Sequence, residues 1–219
     1  MQTLVSHGSG FYIHPQGFVL SNLHVVEHCD DIVLNGPVLN APATIAARDS
    51  EHDLVVLKTA PISSEALSLR DPSVVMEPGE RALVLGYPSA MRQKDKMIAK
   101  EAQIEAISGP QGEDKWLQIS NVVAKGNSGG PLMDRAGHVA GVVAAQAVVY
   151  TYQMDQPENG TTRRSGIAVT VPTIQSFLDK NDIPYQLSDT QTYFPLQRLA
   201  DKARQQVVSV RCDYRTEIR

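Results

Sequence analysis

Short apolar or alternating runs, separated by turn residues, fill roughly the first 170 positions of the chain. Residues 11–13 and 18–20 flank a His-Pro-Gln-Gly sequence at 14–17, a pattern typical of a β-hairpin. Further predicted strands, each rich in Val, Ile or Leu, are residues 31–34, 54–58, 82–85, 116–120, 138–147 and 167–171. Because neither βαβ alternation nor a fixed-period repeat is visible, the pattern predicts an all-β sandwich or closed barrels.

The C-terminal part of the chain has a different pattern. Residues 172–180 form a predicted helix, which Pro172 can begin and Asn181 can end. Its apolar face consists of Ile174, Phe177 and Leu178. After an irregular polar stretch at 182–192, apolar residues recur at helical spacing: Leu196, Leu199, Ala200, Ala203 and Val207. A strand-like run at 207–212 follows, so the tail is predicted to be a helical segment and one returning strand.

Length, composition and charge narrow the possible functions. The chain has 219 residues, enough for one large all-β domain or two small barrels that share an interface. Its apolar content of 42% is ordinary for a globular protein, and its net charge of −4 gives no indication of a nucleic-acid partner. No apolar run approaches the roughly 20 residues that span a bilayer, so no membrane insertion is expected.

The compartment stays open at this stage. Residues 1–7 lack the basic and apolar regions of a signal peptide. Either the protein stays inside the cell, or a signal peptide has been removed and the protein is periplasmic or secreted. The two cysteines, Cys29 and Cys212, are too few for a disulfide scaffold and show no metal-ligand spacing. Two reduced, half-buried thiols are one interpretation of the pair.

The run GNSGGP at residues 126–131 holds the candidate nucleophile, Ser128. Acyl transfer by a serine needs the hydroxyl, a nearby base, a group that orients the base, and donors for the oxyanion. The surrounding glycines allow a tight turn with positive backbone torsions, which exposes the serine. The N–H groups of Gly126 and Ser128, with Asn127 between them, make the predicted oxyanion hole. The alternative is a glycine-rich surface turn without chemistry.

His24 is the candidate base. It follows an apolar strand and precedes an apolar pair, which predicts a partly buried position at a strand end. The other five histidines lie beside Gly, Pro or charged residues, as histidines in loops do: His7, His14, His28, His52 and His138. Imidazole accepts a proton near neutral pH, which suits a general base. A core histidine with satisfied hydrogen bonds is the alternative.

Asp53 is the candidate group for orienting the base. It leads directly into the apolar run 54–57, and a buried carboxylate at such a position needs a partner. Pairing with His24 would make Asp53 functional, whereas pairing with His52 or Lys58 would make it structural.

Six segments in this order resemble the HtrA (Deg) branch of the chymotrypsin-like serine proteases. They are Gly8-Ser9-Gly10-Phe11, Leu23-His24-Val25-Val26, Asp53-Leu54-Val55-Val56-Leu57-Lys58, Leu85-Gly86-Tyr87-Pro88, Gly126-Asn127-Ser128-Gly129-Gly130-Pro131-Leu132 and Gly141-Val142-Val143. The resemblance covers about residues 8–180, and the order His, Asp, Ser is that of chymotrypsin. It implies two six-stranded β-barrels with the triad between them. With the predicted tail, the fold class is all-β, two chymotrypsin-like barrels with C-terminal helices and a returning C-terminal strand.

The resemblance also implies roles for single residues. His24 would be the general base, Asp53 its orienting group and Ser128 the nucleophile. Such a site acts on a polypeptide substrate and needs no metal and no cofactor. In digestive relatives an Asp just before the nucleophile pairs with a freed N-terminal amine. Asn127 occupies that position here, so no activation by N-terminal cleavage is expected.

A primary specificity pocket follows from the same resemblance, with its base about six residues before the nucleophile. That position is Val122, and the opposite wall is expected from Ala144, Ala145 and Gln146, with Ala168 nearby. No carboxylate is available at these positions for a Lys or Arg side chain. We therefore expect cleavage after small or medium aliphatic residues, with loose discrimination because one methylene contributes only about 1–3 kcal/mol.

The expected domain organisation is a double-barrel protease domain at 1–189 and a tail at 190–219. Within the first part, the N-terminal barrel covers about 1–90, the C-terminal barrel about 91–171 and a helix about 172–181. HtrA proteins usually carry a PDZ domain after the protease, and none is expected within residues 181–219. The tail resembles the helix and first strand that normally precede the Gly-Ser-Gly-Phe segment, so it is expected to complete the first barrel.

Standalone bacterial trypsin-like proteins with a similar tail carry a Cys soon after the catalytic His and another in the last strand. This resemblance makes Cys29 and Cys212 a candidate disulfide in an oxidising compartment. The first function hypothesis is a serine endopeptidase that forms an acyl-enzyme on Ser128. A catalytically silent peptide-binding or chaperone module is an alternative, because fold does not fix function. An esterase-type acyl hydrolase is a third hypothesis.

Overall fold

A computed structural model describes residues 2–88, 96–120, 123–153 and 156–216 of the chain. These residues form fourteen strands and three helices. The strands are β1 (Gln2–His14), β2 (Phe18–Ser21), β3 (Asp31–Asn35), β4 (Asn40–Asp49), β5 (Leu54–Lys58), β6 (Leu69–Arg70), β7 (Arg81–Gly86), β8 (Ile98–Ala106), β9 (Trp116–Ile119), β10 (Pro131–Met133), β11 (Val139–Gln153), β12 (Gln156–Thr170), β13 (Leu187–Ser188) and β14 (Val207–Thr216). The helices are α1 (Leu23–Val26), α2 (Val171–Lys180) and α3 (Leu196–Ala203).

The first barrel closes in the order β1, β14, β3, β4, β5, β2. The C-terminal strand β14 lies between β1 and β3, where Ser209 is the partner of both Ser9 and Asn35. Residues 207–210 of β14 are all buried: Val208 and Val210 pack in the first barrel, and Val207 packs in the core that the two barrels share. The predicted returning strand is confirmed.

The second barrel consists of β10, β7, β8, β9, β12 and β11, and the pairing of β10 with β11 closes it. The short strands β6 and β13 extend its sheet in parallel. The two six-stranded barrels confirm the predicted all-β fold class. Because β7 belongs to the second barrel, the boundary between the barrels falls before Arg81 rather than near residue 90.

One group of buried apolar side chains joins both barrels and the two longer helices. It includes Phe11 from β1, Leu85 from β7, Phe177 from α2 and Leu199 from α3. Each side chain of this size contributes about 1.5–3 kcal/mol when it is fully buried. One continuous apolar core therefore packs the two barrels against each other.

A buried network of ion pairs surrounds Arg70 on β6. The Arg70 guanidinium is 2.6 Å from the Glu80 carboxylate and 3.4 Å from that of Asp134. Asp134 also accepts the backbone N–H groups of Ala136 and His138, each at 2.9 Å. Burial raises the pKa of Asp134, but bonds from His138 and the charge of Arg70 outweigh it and hold that pKa below its ordinary value. His138 lies directly before β11 and is only 9% exposed.

Cys29 and Cys212 form a disulfide, with 5.2 Å between their Cα atoms. The candidate disulfide is thereby confirmed, and it joins β14 to the segment that follows α1. Within the described ranges, every helix is too short or too polar to cross a lipid bilayer.

Candidate active site

The ring of His24 is held by the carboxylate of Asp53. Asp53 Oδ2 lies 2.6 Å from His24 Nδ1, and Asp53 Oδ1 accepts the backbone N–H of His24 at 2.8 Å. With its proton on Nδ1 the imidazole donates to Asp53, and Nε2 is left with a lone pair that can accept a proton. In this tautomer the pair has the arrangement that a general base needs.

Local backbone geometry explains how the two side chains meet. Asp53 ends the turn between β4 and β5 with a φ of +54°, an uncommon conformation for a residue with a side chain. Its carbonyl oxygen accepts hydrogen bonds from Leu23 N–H at 3.2 Å and Asn22 Nδ2 at 2.8 Å. These contacts fix the turn against the start of α1, one residue from His24.

The structural alternatives for Asp53 are excluded by the partners of the other side chains. His52 Nδ1 lies 2.7 Å from Asp49 Oδ2 instead. Burial raises the pKa of Asp49, but hydrogen bonds from His52 and Glu51 hold it below its ordinary value. Lys58 donates to the carbonyl of Gln16. Of the three candidate partners, His24 is therefore the one that pairs with the Asp53 carboxylate.

His24 is more exposed than its sequence context predicted. Its side chain is 48% exposed and that of Asp53 is 30% exposed. The prediction of a strand end was wrong because the chain turns into α1 directly after β2, so His24 lies on a helical turn.

Ser128 follows a tight turn that presents two backbone donors. Asn127 N–H donates to Ala124 O at 2.9 Å, and Gly126 has a φ of +99°, so residues 124–127 form a type II turn. Among the described residues, no acceptor pairs with the N–H of Gly126 or of Ser128. Asn127, which we included in the predicted oxyanion hole, is corrected: its N–H is used within the turn.

The Ser128 loop packs against the start of α1. Ser128 O accepts the N–H of Ser9 at 2.8 Å. A Cβ atom added at Gly8 would lie 2.6 Å from Val25 Cγ1 and 3.1 Å from Ser128 O. A Cβ atom at Gly129, which has a φ of +82°, would lie 3.0 Å from the backbone nitrogen of Asn22. Close packing at these two glycines brings the nucleophile loop beside the His24 segment.

The Ser128 hydroxyl itself points elsewhere. It donates to Ala144 O at 3.0 Å. No hydrogen bond joins it to the His24 ring in the part of the chain that the structure describes. The structure therefore brings His24 and Asp53 together, whereas the Ser128 hydroxyl is bonded to Ala144 O.

Only some of the predicted pocket residues lie at the surface. Val122 lies outside the described residues. Ala144 is buried at an irregularity in the pairing of β11 with β12, and Ala145 and Gln146 are exposed beside it. The Gln146 side-chain amide donates to Val123 O. Ala168 was wrongly assigned to the pocket, because it is fully buried in the core of the second barrel.

Sequence reasoning missed the role of Ser9 at this site. Its hydroxyl is fully buried between the two barrels and bonded to the turn before Ser128. The only signal in the sequence was the placement of a serine between Gly8 and Gly10. No three His, Cys, Asp or Glu side chains of the described ranges lie together as metal ligands.

Much of the chain is similar to known proteins. A family model described as the trypsin-like peptidase domain matches residues 8–142. The uncharacterized protein y4bJ of Sinorhizobium fredii is 35% identical over 142 residues, covering 64% of this chain and 22% of that protein. A probable periplasmic serine endoprotease, DegP-like, of Pseudomonas savastanoi pv. phaseolicola is 31% identical over 141 residues, covering 63% of this chain and 28% of that protein.

Among solved structures, the Rv3671c protease from M. tuberculosis in its active form matches with a TM-score of 0.61 and 26% identity, covering 83% of this chain and 76% of that one. The chain spans about a quarter of the length of the two curated relatives. Because the family model covers more than half of the chain, the protein belongs to the trypsin-like peptidase family.

Proposed function

We propose that the protein is a serine endopeptidase in which Ser128 is the nucleophile, His24 the general base and Asp53 the group that orients the base. One observation carries this proposal: Asp53 holds His24 Nδ1 at 2.6 Å, beside a loop that offers a serine and two unused backbone donors. The catalytically silent alternative has no need of a base that is hydrogen-bonded to a carboxylate next to an oxyanion turn.

The reaction proceeds through an acyl-enzyme. The Ser128 hydroxyl turns from Ala144 O towards His24 Nε2 and attacks the carbonyl carbon of the substrate, while its proton passes to Nε2. The oxyanion accepts hydrogen bonds from Gly126 N–H and Ser128 N–H, and Asp53 stabilises the imidazolium. His24 then protonates the leaving amine, and a water molecule activated by His24 hydrolyses the ester on Ser128.

Turning the hydroxyl away from Ala144 costs little. A hydrogen bond of this kind contributes about 0.5–1.5 kcal/mol, whereas the loss of one oxyanion donor costs about 10²–10³ in rate. A substrate backbone N–H that donates to Ala144 O would take the place of the serine hydroxyl there. Substrate binding would thus release Ser128 towards His24.

Strand β11 supplies the edge on which a substrate would lie. On the side of the Ser128 loop, Val143 bonds to the backbones of Gly129 and Gly130. Beyond Val143, no strand of the described ranges pairs with that side, while the other side pairs with β12 as far as Gln153. An extended polypeptide can therefore add to β11 as an antiparallel strand, with its scissile bond at Ser128.

Gln146 supports a preference for small residues before the scissile bond. Its side-chain amide reaches across from β11 to Val123 O, four residues before Asn127. A large substrate side chain entering between these two segments would have to break that hydrogen bond. We therefore propose small aliphatic residues at this position, with Gln146 limiting the depth of the pocket.

We also propose a periplasmic or secreted location. A disulfide between Cys29 and Cys212 persists in an oxidising compartment, and a curated relative is named a probable periplasmic endoprotease.

Digestion of an unfolded protein such as reduced, alkylated casein tests the activity. The wild-type chain is expected to cleave it, with Ala, Val or other small aliphatic residues before the cut sites identified by mass spectrometry. The Ser128→Ala variant keeps the fold and should produce no cleavage. A wild-type chain that binds casein without cleaving it would support the peptide-binding alternative instead.

A further inference from the structure

We infer that Ser9 is a positioning residue that holds the oxyanion turn in its working geometry, an inference that rests on the proposed endopeptidase function. The Ser9 side chain is fully buried between the barrels. Its hydroxyl donates to Gly126 O at 2.7 Å and accepts the N–H of Tyr87 at 2.9 Å. We call this pair of hydrogen bonds the Ser9 clamp.

The direction of the clamp is fixed by its two partners. An N–H group can only donate, so the Tyr87 N–H occupies a lone pair of the Ser9 oxygen. The single hydroxyl proton is then directed at Gly126 O. Tyr87 follows β7 of the second barrel, whereas Ser9 lies on β1 of the first, so the clamp ties the turn to both barrels.

The clamp acts on the peptide plane between Gly126 and Asn127. Its carbonyl oxygen is held by Ser9, and its N–H is held by Ala124 O at 2.9 Å. Gly126, with its φ of +99°, tolerates many backbone conformations, so nothing intrinsic to the residue keeps its N–H aimed at the oxyanion. Because the carbonyl oxygen and the N–H of the peptide plane after Gly126 are both held, the backbone rotations available to Gly126 are restricted.

The backbone of Ser9 adds a second connection to the nucleophile. Ser9 N–H donates to Ser128 O at 2.8 Å, and Ser9 O accepts the hydroxyl of Ser21 at 2.7 Å. One residue of the first barrel therefore contacts the residues on both sides of Asn127. Removing only its hydroxyl leaves these backbone contacts in place and isolates the clamp.

Gly86 leaves the space that the clamp needs. A Cβ atom at this position would lie 2.8 Å from Ser9 Oγ and 3.1 Å from the Cα atom of Asn127. Such an approach is too close for a normal contact, so Gly86→Ala should displace the Ser9 hydroxyl without changing Ser9 itself. It provides a second way to disturb the clamp, although it also presses on the turn backbone at Asn127.

Without the clamp, Gly126 O is a buried carbonyl that must find another donor, and the turn shifts to reach one. The shift turns Gly126 N–H away from the oxyanion. Loss of a single oxyanion donor costs about 10²–10³ in rate, so we expect Ser9→Ala to lower kcat by about 10²-fold. The KM for a peptide substrate should stay within about three-fold, because the β11 edge that binds it is untouched.

The experiment compares Ser9→Ala, Ser9→Thr and Gly86→Ala with Ser209→Ala. Ser209 is the strand partner of Ser9 on β14 and is also buried, but it lies outside the site, so it controls for loss of a buried hydroxyl. Ser9→Ala and Gly86→Ala should lose kcat, Ser9→Thr should recover much of it, and Ser209→Ala should match wild type. Affinity for a peptide boronate, which mimics the transition state, should fall together with kcat. Equal kcat in folded Ser9→Ala and wild type would overturn the inference, as would equal losses in Ser9→Ala and Ser209→Ala.

Hydrogen exchange tests the clamp without any catalysis. The N–H of Asn127 is bonded to Ala124 O and should exchange slowly in the wild-type chain. Ser9→Ala should exchange faster there, while Ser209→Ala should not. An inactive wild-type chain with this exchange pattern would refute the proposed function and leave the clamp standing. Unchanged exchange in Ser9→Ala would refute the clamp whatever the activity.

Discussion

The disulfide between Cys29 and Cys212 should account for a large part of the stability of the first barrel. The two residues are 183 positions apart, so the bond closes a loop of most of the chain. An entropy of −2.1 − 1.5R ln n cal/mol/K for a loop of 183 residues corresponds to about 5 kcal/mol at 25 °C. Cleaving the bond should therefore lower the free energy of unfolding by up to about that amount.

The reason lies in the unfolded chain. The native contacts of β14 with β1 and β3 do not require the bond, but without it the tail of the unfolded chain is free to move far from α1. The effect should therefore appear as a lower denaturant midpoint.

Urea unfolding followed by circular dichroism measures the effect. Two perturbations should agree: the wild-type chain under reductant, which keeps both sulfur atoms, and the double variant Cys29→Ala with Cys212→Ala. A loss below about 1 kcal/mol in both cases would refute the reasoning, because the loop-closure argument then overstates the freedom of the unfolded tail.

Three further predictions concern the site and its support. Asp53→Asn should lower kcat by about 10⁴-fold in a peptide assay, because the amide no longer fixes the tautomer of His24; a loss under ten-fold would contradict the assigned role. Gln146→Gly should extend cleavage to larger residues before the scissile bond, and an unchanged peptide-library profile would contradict the pocket. Asp134→Asn should make the free energy of unfolding depend less on pH on the acid side. The lowered pKa of Asp134 stabilises the fold above the ordinary carboxyl range, and this stabilisation is lost as pH falls through that pKa. Curves of unfolding free energy that run parallel for variant and wild type from pH 7 to 3 would contradict this.

The sequence pattern predicted the strands that are rich in branched apolar residues and missed those that are not. In β4, between Asn40 and Asp49, most side chains are exposed, so little apolar alternation is visible. In β8 the sequence IAKEAQIEA has residues that favour helices. Both segments become strands through pairing with the strands that precede or follow them in the chain, which outweighs local preference.

At the site, the residue types could be predicted but their partners could not. Three partners were open to Asp53, and only the positions of His52 beside Asp49 and of Lys58 beside Gln16 decide between them. The burial of Ala168 depends on how the second barrel packs, and the use of the Asn127 N–H within its own turn depends on backbone direction. A single sequence determines neither. Ser9 was visible only as part of a motif, because its role depends on a contact across the two barrels.

Labelling of the folded chain with a fluorophosphonate, read by intact mass and peptide mapping, tests the central claim most directly. The account predicts one covalent adduct at neutral pH, on the peptide that contains Ser128, with no adduct in Ser128→Ala and much slower labelling in His24→Ala. A folded wild-type chain that stays unlabelled, or that carries its adduct on another residue, would contradict it.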